Sequence, residues 1–251
     1  MNSIPSELAI IGGTGLTRLP TLKIIRREVV HTPYGEPSGP VTHGELFGHQ
    51  VAFIPRHGAK HNIPPHRVNY RANLWALRHL GIKNIIAVAA VGGISSEMRP
   101  CRIAIPDQII DYTWSRMHTY FDEHLDAVTH IDFSEPYCRA LRGRLVGAAQ
   151  SAGLDALPKG VYAATQGPRL ETAAEINRLE KDGCDMVGMT GMPEAALARE
   201  LDLCYASIAV VANWAAGRGE RETISLSEIS RNLEQGMNQV KRLLEVVVTR
   251  I

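Results

Sequence analysis

Three short stretches of the chain carry residue types that bind anions. The sequence GGTG at 12–15 follows an apolar run that is typical of a β-strand, so its backbone N–H groups and the Thr14 hydroxyl are candidate phosphate donors. Arg56 and His57 follow a second apolar run, and the planar guanidinium of Arg binds phosphate through paired N–H groups. Thr190 ends a third run and offers another hydroxyl. These residues predict an anion site at strand ends.

Each of these features has a simpler alternative, and one has a rival function. The GGTG sequence lacks the third glycine of a dinucleotide fingerprint and the Lys of a P-loop, and short glycine runs often form only tight turns. Three histidines, His57, His61 and His66, raise the alternative of a metal-dependent hydrolase. Their spacing differs from helical metal motifs and no carboxylate lies nearby, so the sequence predicts no bound metal.

Three further residues, at the ends of predicted strands or at the start of a predicted helix, are candidates for contacting an uncharged part of a ligand. Glu171 follows GPRL at 167–170, Asn213 ends the most apolar predicted strand, and Met189 precedes Thr190. Taken alone, Glu171 is explained by the helix dipole, Asn213 by turn formation and Met189 by core packing. Spacing by itself therefore leaves their roles open.

The elements that must position these residues alternate between short strands and helical patterns. Predicted strands cover 8–11, 51–54, 84–90, 102–105, 160–165, 185–189 and 204–213. Predicted helices cover 66–80, 136–153, a segment ending near 183, a segment from about 193, and a last helix beginning near Ser225 with Glu228 in a capping-box position. This order predicts one α/β domain over residues 1–251, in which ligands bind beyond the carboxyl ends of strands.

Composition narrows the class of protein. The chain has 251 residues, with 27 Lys and Arg against 26 Asp and Glu, so its net charge of +1 gives no electrostatic reason to bind nucleic acid or a membrane. No apolar run approaches the roughly 18 residues that cross a bilayer, and no secretory signal is visible, so we expect a cytoplasmic protein. Cys101, Cys138, Cys184 and Cys204 lie far apart, which predicts reduced thiols, no disulfide and no zinc.

Seven motifs, which include most of the candidate residues, occur in a fixed order along the chain. They are GGTGL (12–16), TPYGEPSGP (32–40), RHG (56–58), VNYRANLWALRHLGI (68–82), QGPRLETAAE (166–175), DMVGMTGMPEAALARE (185–200) and YASIAVVAN (205–213). From about residue 8 to the C-terminus the chain resembles the trimeric purine nucleoside phosphorylase and methylthioadenosine phosphorylase family. The resemblance implies a single α/β domain with a central mixed sheet flanked by helices, a homotrimer, and nucleoside phosphorolysis with inorganic phosphate as co-substrate and no cofactor.

The resemblance also assigns roles along the chain. It implies that phosphate is held by Thr14, Arg56, His57, Thr190 and the backbone at Ala90. It places Met189 against the ribose and Leu170 at the position where related enzymes stack Phe on the base. Ala89 stands where methylthioadenosine phosphorylases usually have Thr, so one phosphate hydroxyl is missing.

The base is predicted from the polarity of two side chains. Members that cleave 6-aminopurines resemble one another in having Asp at Asn213, a second Asp at Ala215 and Ser at Glu171. This chain instead matches the 6-oxopurine phosphorylases, in which the carboxylate accepts from N1–H and the amide donates to O6 or N7. Glu171, Asn213 and His57 are therefore the catalytic candidates, and the base is hypoxanthine or guanine.

The 5′ end of the sugar gives a second prediction. Related nucleoside phosphorylases use a His near the start of the last helix for the 5′-hydroxyl, but no His follows His130. Leu226 and Ile229 align with apolar residues that surround a 5′-methylthio group, although the same spacing is common in helix cores. His130 aligns with a His donated by a neighbouring subunit. We expect a 5′-methylthio 6-oxopurine nucleoside as substrate; alternatives are inosine or guanosine, then methylthioadenosine, or a non-catalytic nucleoside binder.

Overall fold

Within the described residues, eleven strands form one mixed sheet and five α-helices pack against it. The computed structural model describes residues 6–16, 19, 21–123, 125–219 and 225–251. The strands are β1 (Leu8–Gly12), β2 (Lys23–Glu28), β3 (Val41–Leu46), β4 (His49–Pro55), β5 (Asn84–Gly93), β6 (Ile103–Ala104), β7 (Gln108–Asp111), β8 (Ala156–Leu157), β9 (Val161–Ala164), β10 (Met186–Gly188) and β11 (Cys204–Trp214). The helices are α1 (Tyr70–His79), α2 (Arg139–Ser151), α3 (Ala173–Lys181), α4 (Gly191–Glu200) and α5 (Leu226–Val247), with 3-10 turns at Pro65–Arg67 and Val248–Arg250.

The buried strand β5 is the axis of the sheet. Its uncharged sequence suits a position with neighbours on both edges, and it pairs in parallel with β1 and β11. Its last residues, Gly92 and Gly93, pair antiparallel with β10. The sheet order is β2-β3-β4-β1-β5-β10-β9-β7, while β11 links β5 to β6 and β8. The sheet therefore changes partners at the carboxyl end of β5, where α/β folds form ligand crevices.

A hydrophobic core covers each face of the sheet. Ile11, Leu74 and Leu77 belong to the core beneath α1 and α4, whereas Ile10 and Val240 belong to the core beneath α2 and α5. Neighbouring strand residues face opposite sides, so Ile10 and Ile11 serve different cores. None of the described helices has the length and apolarity needed to span a bilayer.

The observed element boundaries depart from the predicted ones for local physical reasons. The helix predicted over 66–80 begins later than predicted. A 3-10 turn occupies Pro65–Arg67, and α1 begins only after Asn69, whose side chain accepts from the N–H of Ala72. β5 extends through Gly93, because its pairing with β10 and β11 continues to that residue. A Cβ at Gly93 would lie 1.9 Å from the Met98 carbonyl oxygen, so only Gly fits there. The prediction missed β2, whose residues are nearly all exposed and so lack the apolar alternation that marks a strand.

A disulfide joins Cys138 to Cys204, so the prediction of four reduced thiols is wrong for this pair. Cys138 directly precedes α2 and Cys204 begins β11, and the Cys138 N–H donates to the Tyr205 carbonyl at 2.8 Å. The 66-residue sequence separation concealed this approach. Cys101 and Cys184 are free thiols.

Cys138→Ser is expected to lower the free energy of unfolding by about 2–4 kcal/mol, because the bridge closes a long loop in the unfolded chain. Denaturant unfolding without reductant measures the change. Cys101→Ser, at a free thiol, is the matched control and should stay within about 1 kcal/mol of wild type. Equal stability of the two variants would show that the bridge contributes little.

Candidate active site

One cavity at the strand ends collects most of the predicted site residues. Its volume is about 580 Å³, which suits a small organic ligand. The predicted residues that line it are Thr14, Arg56, His57, Ala90, Leu170, Glu171, Met189, Thr190, Asn213 and Ile229. Residues far apart in the sequence therefore meet where β5 changes partners.

The Arg56 side chain is buried at this cavity and bound to a carboxylate that the sequence analysis did not identify. Its Nε and Nη2 each donate to Glu194 at 2.7 Å, and Nη1 donates to the Val88 carbonyl at 2.9 Å. Fully buried Glu194 also accepts from the Tyr205 hydroxyl at 2.8 Å. Burial alone would lower the pKa of Arg56, but the charge and hydrogen bonds of Glu194 raise it above its ordinary value. Arg56 thus stays charged, with two of its five N–H groups still available to an anion.

The glycine run after β1 makes room for this guanidinium. A Cβ on Gly13 would lie 2.4 Å from the Val88 carbonyl oxygen and 2.8 Å from Arg56 Nη1. The Leu16 N–H closes the turn by donating to the Gly13 carbonyl at 2.9 Å, and Thr14 within that turn lines the cavity. Gly13 is therefore required for the close approach of Arg56.

His57 is held in one tautomer beside Arg56. Its Nδ1 lies 2.8 Å from the Ile63 carbonyl oxygen, which only accepts, so Nδ1 carries the proton and Nε2 is left as an acceptor. Burial, helped by the charge of Arg56, lowers the pKa of His57 to about 4. The imidazole is neutral at pH 7.

Thr190 lies at the start of α4 and lines the cavity. The residue is only 7% exposed, and although it occupies the N-cap position its side chain makes no capping hydrogen bond. Its backbone N–H lies 3.4 Å from the Tyr162 hydroxyl. A buried hydroxyl facing the lining of a cavity is a suitable donor to a bound oxyanion.

Glu171 lies between β9 and α3, held by a side chain from the end of β9. Its Oε1 accepts from the Thr165 hydroxyl at 2.7 Å. The neighbouring residue, Thr172, caps α3 in a full capping box with Glu175, which fixes the start of the helix next to Glu171. The carboxylate is thus attached to a rigid junction between strand and helix.

Asn213 is aimed by an irregularity in β11. The pairing of β11 with β5 shifts register between Val211 and Asn213, and Asn232 of α5 donates to the Ala212 carbonyl at 2.9 Å. Asn213 Nδ2 donates to the Trp214 carbonyl at 2.6 Å, which leaves its second N–H without a partner among the described residues. An extra strand residue of this kind commonly redirects a side chain toward a site.

Arg116 is a second buried cation that the sequence analysis missed. It donates to the carbonyls of Thr165, Gln166, Met189 and Met192 at 2.6–3.1 Å. These carbonyls belong to the segments that follow β9 and β10. Arg116 therefore fixes the two loops that carry Glu171 and Thr190, a role that only the folded arrangement could reveal.

Two predicted residues do not reach the cavity in this chain, and the histidine cluster does not form. Leu226, the first residue of α5, is 76% exposed and does not line the cavity, whereas Ile229 does. His130 lies in an exposed segment outside it. The rings of His57 and His61 are 4.9 Å apart, but His66 does not line the cavity, and the described residues contain no group of three metal-binding side chains.

Glu194→Gln is expected to lower the free energy of unfolding by about 3–5 kcal/mol, because it leaves the buried Arg56 charge unpaired. Denaturant unfolding measures the change. Glu45→Gln is the control: it removes the partner of exposed Lys23, a change expected to cost less than about 1 kcal/mol. A loss no larger than that of the control would contradict the role assigned to Glu194.

Stability is expected to fall as the pH is lowered from about 6.5 to about 4, since the unfolded chain protonates His57 while the folded chain does not. The free energy of unfolding that depends on His57 is fully present above pH 6.5 and is lost toward pH 4, a loss of as much as about 3 kcal/mol. His57→Asn keeps a donor for Ile63 and removes the titration. Denaturant unfolding at pH 7, 5.5 and 4 should show a smaller decline for the variant; parallel declines would refute the assignment.

Comparison with known proteins places this site in a family. A model described as the phosphorylase superfamily matches residues 7–249. A protein of Pseudomonas syringae pv. tomato described as "Probable S-methyl-5'-thioinosine phosphorylase" is 54% identical over 241 residues, covering 96% of this chain and 98% of the relative. The 6-oxopurine nucleoside phosphorylase of Pyrococcus furiosus is 45% identical over 243 residues, covering 95% and 90%.

A solved structure has the same fold. Methylthioadenosine phosphorylase from Schistosoma mansoni, in complex with adenine, matches with a TM-score of 0.93 and 31% identity, covering 98% of this chain and 91% of that one. The resemblance read from the seven motifs and the mixed-sheet α/β fold that it implies are both confirmed. The chain belongs to the phosphorylase superfamily.

Proposed function

We propose that this enzyme is a pentosyltransferase that cleaves a 6-oxopurine nucleoside with phosphate. The preferred substrate is S-methyl-5'-thioinosine, and the products are hypoxanthine and 5-methylthioribose 1-phosphate. The observation that carries the proposal is the presence of Glu171 and Asn213 in the same cavity as Arg56 and His57. The names of the relatives from Pseudomonas syringae and Pyrococcus furiosus support this choice of base.

Phosphate binds at the end of the cavity that holds Arg56. The free N–H groups of Arg56, the hydroxyls of Thr14 and Thr190, and the backbone at Ala90 donate to its oxygens. The O–H of monohydrogen phosphate donates a hydrogen bond to Nε2 of neutral His57, since the Nδ1–H of His57 already donates to the Ile63 carbonyl. The Arg56 charge is already balanced by Glu194, so the anion is selected by directed hydrogen bonds more than by net charge.

The reaction needs no side-chain nucleophile. A phosphate oxygen forms the bond to the anomeric carbon as the bond to the purine nitrogen breaks, and the electron pair of that bond goes to the base. Overall the base takes up the proton that monohydrogen phosphate loses, which gives neutral hypoxanthine. Bound phosphate also stabilises the positive charge that develops on the sugar, while Met189 packs against the ribose. The residues of the site act by positioning and electrostatic stabilisation.

The base is chosen by complementary hydrogen bonds. Hypoxanthine presents a donor at N1, which the Glu171 carboxylate accepts, and an acceptor at O6 or N7, which the free N–H of Asn213 satisfies. Adenine presents an acceptor at N1, so the carboxylate would be left unpaired at a cost of about 1–3 kcal/mol. Leu170 lies at the face of the base, where it offers apolar contact in place of aromatic stacking.

The part of the cavity that receives the 5′ end of the sugar is apolar, because Ile229 of α5 lines it. We propose that the site is completed in a homotrimer, with His130 donated by the neighbouring subunit and Leu226 covered at the same contact. Exposure of Leu226 in the single chain is compatible with such a contact. Inosine or guanosine is the second candidate substrate, favoured by the 45% identity to the 6-oxopurine nucleoside phosphorylase. Methylthioadenosine is the third.

The remaining partners follow from the substrate. Nucleoside and inorganic phosphate are the ligands, and the proposal requires no cofactor, metal, nucleic acid or membrane. A cytoplasmic location is part of the proposal, since purine nucleosides and phosphate are both intracellular metabolites.

The proposed reaction is tested by measuring base release from methylthioinosine, methylthioadenosine, inosine and guanosine, each with and without orthophosphate. Release should require phosphate and be fastest with methylthioinosine. Fastest cleavage of methylthioadenosine would overturn the assignment of the base. Persistent nucleoside binding with no base released would instead support the alternative of a non-catalytic nucleoside binder.

Asn213→Asp is expected to shift the preference toward 6-aminopurines, because the new carboxylate accepts from the 6-amino group and repels O6. The ratio of kcat/KM for methylthioinosine to that for methylthioadenosine should fall about tenfold or more. Because Glu171 still favours a 6-oxopurine, the change of preference should be incomplete. Asn177→Asp, at an exposed position of α3, is the control for the charge change. An unchanged ratio in Asn213→Asp would remove this residue from base recognition.

A further inference from the structure

The Thr165 hydroxyl contacts the carboxylate that the proposed function assigns to the purine base. Thr165 Oγ1 donates to Glu171 Oε1 at 2.7 Å. The same hydroxyl lies 3.3 Å from the Gly188 carbonyl oxygen, but that carbonyl already accepts the backbone N–H of Thr165 at 2.8 Å. A hydroxyl has one proton to donate, and the shorter contact to a charged acceptor is the stronger one.

The position of this hydroxyl is fixed by the backbone on both sides. Thr165 directly follows β9; its N–H donates to the carbonyl of Gly188, the last residue of β10, and its own carbonyl accepts from Arg116 Nη2 at 3.1 Å. Its β-branched side chain has few rotamers. Glu171, by contrast, has a longer, unbranched side chain, although its backbone is held beside the cap of α3. The rigid partner is Thr165, and the oriented partner is Glu171.

We infer that Thr165 is a positioning residue that makes the base site selective for 6-oxopurines; the inference rests on the proposed function. By donating to Oε1, the hydroxyl leaves Oε2 to accept from the N1–H of the base, and among the described residues Oε2 has no other hydrogen bond.

The contact therefore acts against the wrong base as well as for the right one. Adenine has no proton at N1, so the oriented Oε2 of Glu171 would face its N1 lone pair with nothing to accept. Without the Thr165 hydroxyl, Glu171 is free to rotate away from N1, and discrimination between the two bases weakens.

The test compares wild type with Thr165→Val, which keeps the shape and removes the donor, and Thr165→Ser, which keeps the donor. Thr113→Val is the matched control, a half-buried threonine whose hydroxyl does not contact Glu171. For each protein, kcat and KM are measured with methylthioinosine, methylthioadenosine and phosphate, and thermal unfolding monitors the fold. The two nucleosides share one 5′ group, so their ratio of kcat/KM reports on the base alone.

Thr165→Val is expected to lower the ratio of kcat/KM for methylthioinosine to that for methylthioadenosine about tenfold, the value of one hydrogen bond to a charged group. KM for phosphate should not change. Thr165→Ser should recover the wild-type ratio to within about twofold, and Thr113→Val should match wild type.

Two results would overturn the inference. One is an equal loss with both nucleosides in Thr165→Val, which marks a merely structural residue; the other is an unchanged ratio. Wild type that itself prefers methylthioadenosine would refute the proposed function instead, and this is read from the wild-type ratio before any variant is compared.

Discussion

The site depends on a cation placed in the protein interior. Arg56 is 1% exposed and Glu194 is fully buried, so neither charge is stabilised by water, and each requires the other. The pair also accepts from and donates to groups of the sheet itself, through Val88 and Tyr205. Because Glu194 uses only part of the guanidinium, a phosphate meets donors that are already oriented. The anion site is therefore preorganised, and the ion pair is the reason that it stays so without ligand.

The electrostatics of this end of the cavity follow from that pair. Glu194 balances Arg56, and burial together with the Arg56 charge keeps His57 neutral. This end of the cavity thus has little net charge, and in the proposed reaction phosphate is held mainly by directed hydrogen bonds. A strongly positive site would bind the sugar phosphate product tightly as well. A nearly neutral site with directed donors is better suited to turnover.

Sequence reasoning located the strand ends and the residues on them, because both are local properties. Arg56 follows β4, Asn213 lies near the end of β11 and Glu171 is on the loop after β9, and such positions meet at the carboxyl ends of the strands. Contacts between distant segments were not predictable in the same way. Glu194 lies 138 residues from Arg56 in a helix where an acidic residue is unremarkable, and Cys138 gives no sign of its partner.

Within the site, too, the sequence predicted some side-chain positions and not others. Leu226 and Ile229 are three residues apart on α5 and so share a face of the helix, yet only Ile229 reaches the cavity. Leu226 is the first residue of the helix, and the spacing does not show how far the lining of the cavity extends along that face. Asn213 was read correctly as a polar group at the end of β11, but the register shift that aims it is a property of the pairing with β5.

The supports of the site link its parts into one unit. Arg116 binds carbonyls on the segments after β9 and β10, so Glu171, proposed to bind the base, and Thr190, proposed to bind phosphate, are fixed by the same guanidinium. Asn232 ties α5, which carries Ile229, to the backbone beside Asn213. A displacement at one end of the cavity is thereby resisted at the other. Since phosphate must meet the anomeric carbon while the base is held by hydrogen bonds, this shared rigidity is what allows recognition of the base to set the geometry of attack.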